Sequence, residues 1–150
     1  IDKTKQYRQK IGDDAYKDEV HNELKALEEK FTIIKMAHDL GINMLLSPDS
    51  SSKYMIAGFS VFAEMELLKN AQINNYDILQ MATTNFAAFF QEDYGTIEAG
   101  KPADFILLNQ NPLEDLNTLK NIYGLYYNGQ FLGEKRLNTM RTGLLEVAQN

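Results

Sequence analysis

The chain has 150 residues with 15 basic and 21 acidic side chains, a net charge of −6, and a 44% hydrophobic fraction that includes 8 Tyr and 8 Phe, enough apolar mass for one core of ordinary size. The excess charge is acidic and no basic stripe is present, which argues against a nucleic-acid partner, and no run of about 18 apolar residues offers a membrane span. The absence of cysteine removes disulfides, thiolate metal sites and a thiol nucleophile.

The first residue is Ile1 and not methionine, so the chain is expected to be processed, excised or cloned from within a longer frame, and the lack of a signal-peptide pattern leaves the compartment open. Residues 1–12 are polar and read as a frayed helix or a loop. From Asp13 the pattern is helical: Val20, Leu24, Leu27, Phe31, Ile34 and Ala37 recur every three or four residues and share a face. Leu40-Gly41 is a helix stop. The apolar run Ile42–Leu46 does not alternate, which suits a strand covered on both faces, as in a parallel sheet. After a Ser-rich loop at 47–53, Val61 to Ala71 reads as a helix with Phe62, Met65 and Leu68 inward. Tyr76 to Gln91 reads as a third helix with Ile78, Ala82, Phe86 and Phe89 as its buried stripe. Gly95 and the Ala99-Gly100-Lys101-Pro102 turn then change the pattern to strands: Phe105–Leu108, Leu125–Tyr127 and, after the hairpin signal Asn128-Gly129, Gln130–Leu132. Leu137 to Ala148 is predicted as a terminal helix.

Helix, buried strand, helix, helix and a small β region look like the last β/α step of a parallel α/β fold. One parallel strand cannot form a sheet, so its neighbours must come from elsewhere. In such sheets functional groups gather at the C-terminal ends of strands, and Asp49 lies three residues beyond Leu46. An Asp in Ser-Pro-Asp-Ser is equally a good turn former. Ser50 and Tyr54, on the same loop with Ser51 and Ser52, are candidates to line a substrate pocket, but no histidine is near enough to activate a serine. His21 and His38 are the only histidines; on one helix they stand about 25 Å apart and cannot share an ion. His38 is expected to meet the helix C-terminal carbonyls. Met36, Met44, Met65 and Met81 are expected as core filler, Asp104 as a turn residue before the strand, and Lys101 as solvent-facing.

The stretches ATTNFA (82–87), GTIEAGKPAD (95–104), FILL (105–108), NPLED (111–115) and YYNGQ (126–130) follow in that order. As an ordered set they resemble the C-terminal end of the amidohydrolase superfamily, especially its imidazolonepropionase and Xaa-Pro dipeptidase-like branch. GFSVFAEMELLKNAQI (58–73) is similar to that branch's helix after the eighth barrel strand, and the match runs from about Lys30 to Leu132. The resemblance implies an α/β fold in which residues 1–91 supply the last helices and final strand of a TIM-like barrel. Residues 92–133 then form the C-terminal strands of a small composite β domain, and residues 134–150 a terminal helix. LLSPDS (45–50) takes the place of the family's strand-eight Gly-Thr-Asp or Gly-Ser-Asp, with Ser47-Pro48 where Gly and Thr or Ser are usual. Phe62-Ala63 stands where many relatives carry His-Arg.

By that resemblance Asp49 is both metal ligand and catalytic proton shuttle. A bound divalent metal, expected to be one or two zinc ions in the full-length protein, lowers the pKa of its water toward about 7. A neighbouring aspartate accepts a proton as the water attacks and returns it to the leaving nitrogen. The family's His-x-His, its midway Lys or Glu and two further histidines have no counterparts in this sequence, so the piece alone is not expected to hold metal or to be active. The reading is the C-terminal part of a metal-dependent hydrolase cleaving a C–N bond in a cyclic amide, imide or dipeptide. The alternative is a non-catalytic barrel remnant serving assembly or ligand binding. Expected partners are a small amide or peptide substrate, the rest of the parent chain across open sheet edges, and further copies of the chain.

Overall fold

The computed structural model describes residues 3–50 and 55–147. The polar N-terminus is helical: α1 (Lys3–Ile11) turns at Gly12, with φ of 89°, into the 27-residue α2 (Asp13–Asp39). Tyr7 Oη donates to both Glu19 carboxylate oxygens, and Arg8 pairs with Asp13 at 2.7 Å. These exposed ties fold α1 back along α2. The predicted apolar face of α2 is only half used. Phe31, Ile34 and Ala37 are partly covered, whereas Val20 and Leu24, nearer the N-terminus, stay exposed. Gly41, at φ 72°, ends the helix as its position predicts: Ile42 N–H returns to Ala37 O and Gly41 N–H to His38 O, the paired bonds of a Schellman stop.

Ile42–Leu46 forms no strand. A strand needs a ladder, and the described residues supply none beside it. The segment is tied into helices instead, and its later part reaches the core, Leu46 being buried and Met44 packed beside it while Ile42 stays exposed. Helix α3 (Ser60–Asn70) forms where expected, burying Met65 and Leu68. The third predicted helix is two: α4 (Asn75–Met81) and α5 (Thr84–Phe90). Thr83 has φ −136° and ψ −89°, and its hydroxyl donates to Leu79 O at 2.7 Å. This local bond offers the chain an alternative to continuing the helix. The buried stripe shifts accordingly: Ile78 and Ala87 are buried, whereas Phe89 is exposed. Gly95, at φ 84°, passes so close to the break that a Cβ there would lie 2.9 Å from Thr83 O.

The sheet is antiparallel with strand order β1 (Phe105–Leu108), β2 (Ile122–Tyr127), β3 (Gln130–Gly133). Phe105 pairs with Tyr126, their rings stacked at 5.3 Å, and the register slips between Leu107 and Leu108. Asn128 and Gly129, both at positive φ, make the predicted hairpin turn. Asp104 accepts Asn128 N–H at 3.0 Å and so stitches the start of β1 to that turn. A short 3-10 helix (Leu116–Lys120), absent from the sequence reading, precedes β2, and α6 (Glu134–Val147) follows β3 directly.

The core joins Leu46, Met65, Leu68, Ile73, Ile78, Met81, Leu116 and Leu119, with Ile34, Met44, Val61, Phe62 and Leu108 packed around it. It therefore binds α2, the 42–46 segment, α3, α4, the 3-10 helix and β1 into one body. Met65 and Met81 fill it as expected, but Met36 is exposed. Among the described residues no helix is long and apolar enough to cross a membrane.

Candidate functional site

Among the described residues, four contacts hold the segment that leads to Asp49. Asn43 Nδ2 donates to Asn85 O at 3.4 Å, and Asn85 Nδ2 returns a bond to Met44 O at 2.9 Å. Leu46 N–H donates to Met81 O, the C-terminal carbonyl of α4, at 3.0 Å. Ser47 N–H donates to Glu64 Oε1 at 3.2 Å. Backbone groups that a sheet would normally pair are met instead by α3, α4 and α5, which satisfies their need for partners. The α4/α5 break aids this, because Asn85 lies in the first turn of the new helix.

Beyond Ser47 the chain turns. Asp49 sits at φ 47°, in the left-handed region, and is exposed. Asp enters that region more readily than most residues because its short side chain can bond locally. Ser50 is half-buried in the same turn. Tyr54, Ser51 and Ser52 lie outside the described residues, and of the three candidates only Asp49 and Ser50, neighbours in sequence, are described.

Two residues that sequence reasoning did not single out matter here. Asn85 belongs to the ATTNFA stretch, where it served only as part of a pattern; its side chain clasps the segment carrying the candidate carboxylate. Glu64 falls on the inward face of α3 between Val61, Met65 and Leu68. A carboxylate on an apolar stripe is a signal that periodicity alone could have raised. Burial pushes the Glu64 carboxyl up from the usual range of 4.5, against the opposing pull of the Ser47 N–H. Its Oε2 is shielded and has no hydrogen-bond partner among the described residues.

The other candidates settle elsewhere. His38 Nε2 lies 2.8 Å from Asp77 Oδ2 and its Nδ1 3.2 Å from Asp39 Oδ1. It links the end of α2 to α4 through carboxylates, not through the helix-end carbonyls expected for it. Asp77 is poised for this because Asn74 caps α4 by accepting Asp77 N–H and donating to its carboxylate. Lys101 is not solvent-facing: its side chain is 24% exposed and reaches Thr96, Asp93 and Glu98.

The resemblance to amidohydrolases implies a divalent metal, which needs several ligands converging on one ion. Among the described residues no three His, Asp or Glu converge to hold an ion. His21 and His38 share one helix, and His38 is committed to carboxylates. The described residues therefore do not make a metal centre. No curated protein matches the chain. The model of the amidohydrolase family matches residues 10–132.

Proposed function

The chain belongs to the amidohydrolase family, and we propose that it is the C-terminal part of a metal-dependent hydrolase cleaving a C–N bond in a cyclic amide, imide or dipeptide, in the imidazolonepropionase and Xaa-Pro dipeptidase-like branch. The observation that carries this reading is the 43–47 segment, held by Asn85, Met81 and Glu64 from three helices, which delivers Asp49 at its end. Proton transfer needs a group held within hydrogen-bond reach of the reacting atoms, and anchoring of this kind supports such a role.

In this reading Ile42–Leu46, which forms no strand here, takes the place of the last strand of a TIM-like barrel once neighbouring strands of the parent chain pair with it. β1, β2 and β3 then form the C-terminal strands of a small composite β domain. Asp49 accepts a proton from the attacking water and returns it to the leaving nitrogen. Ser50 lines the substrate side of the turn, and Tyr54, outside the described residues, stays a candidate for the same pocket. Asp49 is also one ligand of the divalent metal, with zinc as the expected ion. One carboxylate does not hold zinc, so the remaining ligands come from the parent chain.

The test is Asp49→Asn in the full-length protein, assayed on cyclic amides and Xaa-Pro dipeptides. The asparagine keeps the size of the side chain and its tolerance of the left-handed turn but cannot carry a proton. Turnover is expected to fall by about 10²–10⁴-fold. Near-normal hydrolysis would return Asp49 to the status of a turn residue and favour a non-catalytic module.

A further inference from the structure

We propose that Glu64 is a positioning residue for Asp49: its carboxylate, carried on α3, accepts the backbone N–H of Ser47 and so fixes the turn on which Asp49 sits. This rests on Asp49 being the working carboxylate. The other three holds named above end at Leu46 and come from α4 and α5. Glu64 acts from a different helix, α3, on a residue two positions before Asp49. A non-glycine residue at φ 47° is locally disfavoured, so its conformation depends on the surroundings that hold it.

Glu64 also carries a cost. Glu64 occupies a face whose neighbours Val61, Met65 and Leu68 pack on the core. A leucine at 64 would suit that face better, because a carboxylate there is partly desolvated and leaves Oε2 with no partner among the described residues. A group that opposes packing while bonding the chain beside the candidate site fits a local departure from the usual core rule in favour of function.

The experiment uses the full-length protein, with Glu64→Leu and Glu64→Gln beside Asp49→Asn. Steady-state kinetics use whichever cyclic amide or Xaa-Pro dipeptide the wild type turns over best, and amide hydrogen exchange is followed at Ser47 and Leu46. In Glu64→Leu, kcat is expected to fall about 10- to 100-fold with KM unchanged. Ser47 N–H should exchange at least about tenfold faster while Leu46 N–H, bonded to Met81 O, keeps its protection. Glu64→Gln retains an acceptor oxygen and should behave as wild type. A normal kcat or unchanged Ser47 exchange in Glu64→Leu would overturn the proposal. If Leu46 also loses protection in that variant, Glu64→Gln decides, and a tenfold loss of kcat there overturns it. An active Asp49→Asn withdraws the reading of Asp49 and leaves the Ser47 exchange result standing. An inactive Asp49→Asn beside a fully active Glu64→Leu removes the positioning role alone.

Discussion

Asp115 and Glu64 each accept a backbone N–H, yet their carboxyls move in opposite directions. Asp115 is exposed and caps the 3-10 helix by accepting Asn117 N–H at 2.9 Å. That bond, joined by one from the Asn117 side chain, holds its carboxyl below the ordinary 3.8. Glu64 makes a similar bond, but partial burial outweighs it and raises the carboxyl above 4.5. The linkage signs differ accordingly. The contribution of Asp115 is complete above pH 3.8 and is lost as pH falls through its depressed value. Glu64 favours folding most below pH 4.5 and loses that contribution as pH rises through its raised value. Asp115→Ala should therefore lower the urea midpoint relative to wild type near about pH 6, with the gap closing toward about pH 2–3. A gap that persists at acid pH would show that the charged cap is not its source.

Between elements, the break at Thr83 has the largest consequences. An unbroken helix over 76–91 would keep one register throughout. The break instead resets it, so that Asn85 faces the 42–46 segment and closes a two-way clasp with Asn43 and Met44. Asn85→Ala leaves Met44 O without that donor, and a lost bond to a partly buried acceptor costs about 1–2 kcal/mol. The longer, weaker contact from Asn43 should count for less, so Asn43→Ala is expected to be the milder change. Urea denaturation of both variants checks the order, and equal midpoints would remove Asn85 as the principal hold. His38 plays a parallel part, tying the last turn of α2 to the capped start of α4.

The molecule as a whole leaves much apolar surface open. Ile33, Met36, Leu40 and Ile42 cluster at the end of α2 with large exposures, Leu40 reaching 77%. Tyr127 and Phe131 stand exposed on β2 and β3, and β1 and β3 are the edges of the described sheet. Exposed apolar patches with unpaired edges favour association. The 150-residue chain by itself is therefore expected to self-associate at micromolar concentration in sedimentation velocity runs. A monomer that unfolds cooperatively would contradict this, and would also weaken the proposal that a longer parent chain covers these faces.

The sequence by itself determined the elements governed by local chemistry. The start of α2 at Asp13, its stop at Gly41, the inward face of α3, the Asn128-Gly129 turn and the placing of β1 all follow from periodicity, glycine freedom or turn preference. The ordered stretches that resemble the amidohydrolase superfamily also lay in the sequence, in agreement with the family match over residues 10–132. Asp49 was legible as a residue in a turn after an apolar run. Only the tertiary structure decided what holds that turn. The bonds from Asn85 to Met44 and from Glu64 to Ser47 join residues 41 and 17 positions apart, and no local pattern encodes such pairings. The same reason explains why Ile42–Leu46, apolar enough for a strand, is not one here. A strand is a relation between segments, and apolar character alone cannot supply the partner.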